Sequence, residues 1–158
     1  MELFSDLPVK WTKEQNLHIS FLPIGFVLDE AVYDICEKVR ETADEIEMLD
    51  IEFEQIEVGP SVDDPRVIWL SGKVNPEFLA AYEKIEKALG FISAKKKAFK
   101  PHIVLGKIRK HMWDELEKKP EVHKNMPLLV TMESLDVMAS DFEEEGMEFS
   151  IIESCPLN

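Results

Sequence analysis

The apolar positions fall into two kinds of repeat. In residues 29–45 Val32, Ile35, Cys36, Val39 and Ala43 recur at the three-and-four spacing of a single helical stripe, with acidic residues filling the opposite face. A second helix is predicted from Pro76 to Leu89. Asn75 offers a side-chain cap, Pro76 suits the first helical position, and Phe78, Leu79, Tyr82, Ile85 and Leu89 form the stripe that Gly90 ends. A short third helix is expected over 111–118. Elsewhere the period is two, which predicts strands over 16–22, 50–58, 66–72, 100–109, 127–138 and 147–154. The order strand, helix, strand, strand, helix, strand and two further strands is not a βαβ alternation, and no glycine-rich loop opens either helix. The expected class is therefore α+β with antiparallel sheets. The turn residues Gly59 to Pro65 form the one long loop signal, and no Pro/Gly/Ser linker divides the chain.

Length and charge narrow this picture. A chain of 158 residues holds one full core, so a single domain over 1–158 is expected. The net charge of −14 argues against broad electrostatic adhesion to DNA, RNA or an anionic membrane. Its distribution is uneven: residues 29–64 carry −12 and residues 111–158 carry −9, whereas KKKAFKPHIVLGKIRK (95–110) carries +7 without one acid. The triplet Lys95, Lys96, Lys97 by itself reads as a solvated turn, but the whole segment would attract an anionic ligand. The longest uncharged stretch, Gln15 to Leu28, is short of the ~20 apolar residues that span a bilayer, and no basic leader precedes it. Cys36 and Cys155 stand far apart without a CxxC, which suits packing residues in a reducing cytoplasm.

Two of the four histidines lie inside predicted strands. In LHISFL the alternation sets Leu17, Ile19 and Phe21 towards a core and His18 with Ser20 on the other face. In PHIVLG it sets Ile103 and Leu105 inward and His102 with Val104 outward. Either histidine alone reads as a structural residue. The repeated context, a polar or proline lead, an outward imidazole and an apolar strand closed by Gly25 or Gly106, marks the pair as functional. Imidazole titrates near pH ~6.5, so one ring accepts a proton while the other donates one, as water attack on a phosphodiester requires. A neighbouring hydroxyl and cations stabilise the developing charge without a metal. His111 and His123 stand in a polar, Lys-rich stretch and read as surface residues, and no His/Cys/Asp grouping has metal-ligand spacing.

The segments WTKEQNLHISFLPIG (11–25) and FKPHIVLGKIRK (99–110) resemble the two His-x-Thr/Ser signatures of the 2H phosphoesterase superfamily. The nearest branch is the LigT-like RNA 2',3'-cyclic phosphodiesterases, historically named 2'-5' RNA ligases. The likeness extends to RVIWLSG, a helix ending LGF, the basic loop into PHIVLG and a closing strand pair ending in CPL. It implies two α+β lobes related by a pseudo-twofold around a central cleft, each lobe supplying one histidine. It also implies hydrolysis of a 2',3'-cyclic phosphate, on an RNA end or a small cyclic nucleotide, to a 2'-phosphate. No metal or nucleotide cofactor would be needed, and DNA and membranes would not be partners of the expected cytoplasmic monomer. By this resemblance His102 is the base that activates water, His18 the acid that protonates the leaving 3'-oxygen, and Ser20 a phosphate-binding hydroxyl. Lys107 and Arg109 become candidates for phosphate or RNA-backbone contacts.

Two departures from the family pattern stand out. Val104 occupies the place of the second Thr or Ser. Losing a hydrogen bond to a charged group costs roughly 1.5–3 kcal/mol, or about ten- to a hundredfold in rate if nothing replaces it. Only ten residues precede Trp11, where the family has a strand and a helix. Glu2 to Leu7 reads as the tail of that helix, so the resemblance implies a fold without its first strand and most of its first helix. These departures motivate a rival expectation, a 2H-fold module that binds a phosphorylated nucleotide or RNA end and turns it over poorly. A structural fragment that associates to cover its missing elements is a third.

Overall fold

The computed structural model describes residues 6–90, 100–143 and 146–158. Among them an antiparallel five-stranded sheet has the order β1 (Val9–Trp11), β4 (His102–Ile108), β3 (Pro65–Gly72), β2 (Leu49–Pro60), β5 (His123–Met132). A hairpin of β6 (Ser134–Glu143) and β7 (Gly146–Pro156) makes a separate two-stranded sheet. The helices are α1 (Asp29–Ala43), α2 (Pro76–Leu89) and the short α3 (Lys110–Asp114). The α+β class with antiparallel sheets is thus the observed one, and no helix among the described residues is long and apolar enough to cross a membrane.

Both long helices form where the periodicity places them. Cys36, Val39 and Ala43 of α1 and Phe78, Ala81 and Ile85 of α2 are buried with Phe53, Ile56, Ile68 and Leu70 in one core on one side of the large sheet. The Asn75 side chain accepts hydrogen bonds from the backbone N–H of Glu77 (2.9 Å) and Phe78 (3.0 Å) at the start of α2. Gly90 closes it at φ 77°, the left-handed conformation that glycine adopts without a Cβ clash. Helix α3 is shorter than expected because the Lys119 ammonium donates to the carbonyls of Trp113 (2.7 Å), Asp114 (2.9 Å) and Leu116 (3.2 Å), capping the turn there. Cys36 and Cys155 are both buried, as packing residues are.

Two expectations need correction. Residues 16–22 form no full strand. The edge of β4 beyond its midpoint is already taken by β1, which pairs Val9 with Ile108 and Trp11 with Gly106, so a 3₁₀ turn at Glu14–Asn16 carries the chain past it. It rejoins β4 only at its free beginning, through the single antiparallel bridge Ile19 to Ile103. Residues 127–138 are not one strand either: Glu133 separates β5, which pairs with β2, from β6, which pairs with β7. Of the helical tail expected over Glu2 to Leu7, residues 1–5 lie outside the described residues and residues 6–8 form turn and bend.

Candidate functional site

The bridge between Ile19 and Ile103 decides the geometry. Both isoleucines pack against the core, so in antiparallel register their flanking residues share the opposite face: Ser20 beside His102, and His18 beside Val104. The backbone N–H of Ser20 donates to the carbonyl of His102 at 3.3 Å, which fixes this register. The two histidines are therefore diagonal neighbours on one face, about 7–8 Å apart along such a diagonal.

The two imidazoles are held alike. His18 Nδ1 lies 2.7 Å from the carbonyl oxygen of Asn16, and His102 Nδ1 lies 3.2 Å from that of Lys100, in each case the residue two positions back. A carbonyl only accepts, so each Nδ1 carries the proton and a neutral ring keeps its lone pair on Nε2. Their surroundings differ. The His18 ring meets Phe149 of β7 edge-on, with centroids 5.0 Å apart. The His102 ring lies 4.6 Å from the Trp69 ring at a 40° tilt. Burial pushes the His102 pKa below its ordinary value; His18 adds to the depression, and the Lys100 carbonyl opposes it. The neutral, proton-accepting form of His102 is favoured accordingly.

The remaining candidates are not at this point of the sheet. Strand β4 carries a bulge: Ile68 pairs with Gly106 but Trp69 pairs with Val104. The extra residue reverses the alternation, so Lys107, opposite Val67, turns to the face of Trp69 and His102 instead of the core. Five residues of strand, roughly 15 Å, still separate it from His102, too far for a phosphate held between the histidines. Arg109 lies beyond the strand, exposed at the start of α3, where its backbone N–H donates to Pro8 (2.9 Å) and its carbonyl accepts from Trp113 (2.9 Å). Lys95, Lys96 and Lys97 lie outside the described residues.

The structure adds residues that the sequence pattern alone did not single out. Trp69 and Ser71 alternate with the buried Ile68 and Leu70, and Gln55 and Glu57 flank the buried Ile56, so all four share the face of His102. The W-x-S and Q-x-E spacings around isoleucine and leucine were the available signal. Trp69 is seated on Gly59: a Cβ there would lie 2.2 Å from its indole Cε2, so only glycine admits the ring. His123, exposed as expected, nonetheless belongs to this face, opposite Glu57. His111 is a surface residue, 3.2 Å from Glu115 just past the end of its own short helix. Among the described residues no group of three His, Cys, Asp or Glu is placed to hold a metal ion.

Residues 1–69 match the family model described as LigT like Phosphoesterase. An RNA 2',3'-cyclic phosphodiesterase of Archaeoglobus fulgidus is 33% identical over 118 residues, covering 72% of this chain and 60% of that protein. A protein of the same name from Aeropyrum pernix is 30% identical over 107 residues, covering 65% and 59%. The chain thus spans about 60% of the length of the curated relatives it matches. Among solved structures, one from Thermus thermophilus superposes with a TM-score of 0.76 at 20% identity, covering 95% of this chain and 82% of the other. Escherichia coli LigT complexed with 3'-AMP superposes with a TM-score of 0.65 at 18% identity, covering 99% and 85%. At these identities the superpositions speak for the fold.

Proposed function

We propose that this chain, which belongs to the LigT-like phosphoesterase family, hydrolyses a 2',3'-cyclic phosphate, on an RNA end or a small nucleotide, to a 2'-phosphate. The observation that carries the reading is the Ile19 to Ile103 bridge, whose antiparallel register supports a common face for His18 and His102. The names of the curated relatives support the same activity.

In the reaction His102 Nε2 takes a proton from water as the oxygen attacks phosphorus. The bond to O3' breaks, and His18, protonated at Nε2, gives its proton to the departing oxygen. Each ring keeps its Nδ1 proton on its own carbonyl throughout, and solvent exchange restores the starting pair. Ser20 donates its hydroxyl to a non-bridging oxygen, where negative charge grows in the transition state. Lys107 and Arg109 serve a more distant RNA-backbone phosphate. A 5'-hydroxyl in place of water makes the same step a 2'-5' ligation, with hydrolysis prevailing in water. No step draws on a metal or a nucleotide cofactor. The chain is read as one domain acting as a cytoplasmic monomer on RNA ends, with neither DNA nor a membrane as partner.

The test uses His18→Ala and His102→Ala with a 2',3'-cyclic nucleotide and chromatographic detection of product. Each variant is expected to lose about 10²–10⁴-fold in rate while circular dichroism stays native. Full activity in both ends the proposal. Val104 favours the second reading, a module that binds and barely hydrolyses. The one hydroxyl near His102 on its neighbouring strand, that of Ser71, donates to Glu57 at 2.8 Å and is committed there. Saturable binding of a 2'-phosphonucleotide without hydrolysis, unrelieved by Val104→Thr, establishes that second reading.

A further inference from the structure

The face that carries the two histidines continues across the sheet in two parallel rows. From His102 the cross-strand partners run to Ser71, Gln55 and Asn125; from Val104 they run to Trp69, Glu57 and His123. At about 4.8 Å per strand, Gln55 and Glu57 lie roughly 10 Å from the β4 histidine, and Asn125 and His123 roughly 14 Å. A sugar and base attached to a phosphate at His18 and His102 extend over the same distance.

The side chains along these rows are already ordered by one another. Ser71 Oγ donates to Glu57 Oε1 at 2.8 Å, Gln55 Nε2 donates to Glu57 Oε2 at 2.8 Å, and His123 Nε2 donates to Gln55 Oε1 at 3.0 Å. Every direction in this chain of bonds follows from the carboxylate, which only accepts. The amide nitrogen of Gln55 must point to it, the amide oxygen is left for His123, and the His123 proton sits on Nε2. Ser71 is buried at 6% exposure, whereas Glu57 and Gln55 are half-buried and His123 is open. The patch therefore runs from covered to accessible as it leaves the phosphate position. It contains no lysine or arginine, so a second phosphate is not what it suits. Each Glu57 oxygen accepts one internal bond and retains a lone pair for another, side by side, which matches adjacent N–H donors.

We infer that Gln55, Glu57 and His123, braced by Ser71, form a nucleoside subsite that selects a base presenting neighbouring N–H donors, which among the four RNA bases is guanine. The inference rests on the proposed phosphate position between His18 and His102. Guanine N1–H and N2–H donate to the two Glu57 oxygens, while uracil presents a carbonyl to the same carboxylate and is repelled.

The experiment compares guanosine, adenosine, cytidine and uridine 2',3'-cyclic phosphates as substrates. The native protein is expected to prefer the guanosine compound over the uridine one by roughly ten- to a hundredfold in kcat/KM. Glu57→Gln, which keeps an acceptor for Ser71, is expected to bring that ratio close to one. Equal kcat/KM for all four bases, or a guanosine preference that survives in Glu57→Gln, overturns the subsite while leaving the hydrolytic reading intact. Calorimetric titration with guanosine 2'-phosphate and uridine 2'-phosphate separates the two claims in the other direction. Tighter guanosine binding without hydrolysis of any of the four supports the subsite and removes the proposed reaction, and equal binding of the two removes the subsite.

Discussion

The two histidine segments share a motif and a hydrogen-bond arrangement but not a setting. His102 stands inside the five-stranded sheet, with Ser71 as its cross-strand partner and the Trp69 ring against its own. His18 follows a 3₁₀ turn on a segment joined to the sheet by one bridge, and its ring meets Phe149 of the separate hairpin. Burial disfavours the charged imidazole at His102. Each Nδ1 faces the carbonyl of the residue two positions back, so the rings are held alike and it is the packing around them that differs.

The largest expected effect separates the two roles. An aryl phosphodiester such as a p-nitrophenyl ester has a leaving group that departs without a proton. His102→Ala is expected to lose about 10²–10⁴-fold on this ester and on a cyclic nucleotide alike, whereas His18→Ala loses that much on the cyclic nucleotide alone. Steady-state rates on both substrates check this, and equal losses of the two variants on the ester break the comparison. Next comes the asymmetry inside the motifs. Val104→Thr restores to the second segment the hydroxyl that Ser20 supplies in the first, and a gain of about ten- to a hundredfold in kcat is expected, measured on the same cyclic nucleotide.

Smaller effects sharpen the settings themselves. Phe149→Ala removes an edge contact worth about 0.5–1.5 kcal/mol, predicting a loss of a few-fold up to about tenfold through a less well-oriented His18. Trp69→Leu acts on His102 through solvation. Burial lowers its pKa, so the neutral base persists on the acid side of ~6.5 and the acid limb of kcat/KM lies there too. Uncovering the ring raises the pKa, so the limb moves up towards ~6.5 and activity at mildly acid pH falls. A pH profile that does not move detaches Trp69 from the base. Gly59→Ala is expected to shift the profile the same way, and to lower the melting temperature, because its Cβ displaces the indole.

How far the fold and site could be read from the chain depends on what kind of signal carried each part. The helices were readable because Asn75, Pro76, Gly90 and the apolar stripes are local devices, and the outward pairing of each histidine with the residue two on needed only a period of two. The strand of His18 was overestimated because competition with Val9–Trp11 for one edge of β4 is a tertiary fact that no local pattern records. Lys107 shares the face of His102 because a bulge at Leu105 shifts the register by one residue, which a strict alternation does not record. The patch from Ser71 to His123 was missed for a related reason. Its members lie on three strands, and only the pairing of β3 with β2 and of β2 with β5 brings them together.

The central claim is that two rings turned to one face act as a base and acid on one cyclic phosphate. Phosphorus NMR of a nucleoside 2',3'-cyclic phosphate incubated with the native protein and with His102→Ala tests it directly. The account predicts conversion to the 2'-phosphate alone by the native protein and a signal that stays at the cyclic phosphate with His102→Ala. Formation of the 3'-phosphate, or equal conversion by both proteins, contradicts it.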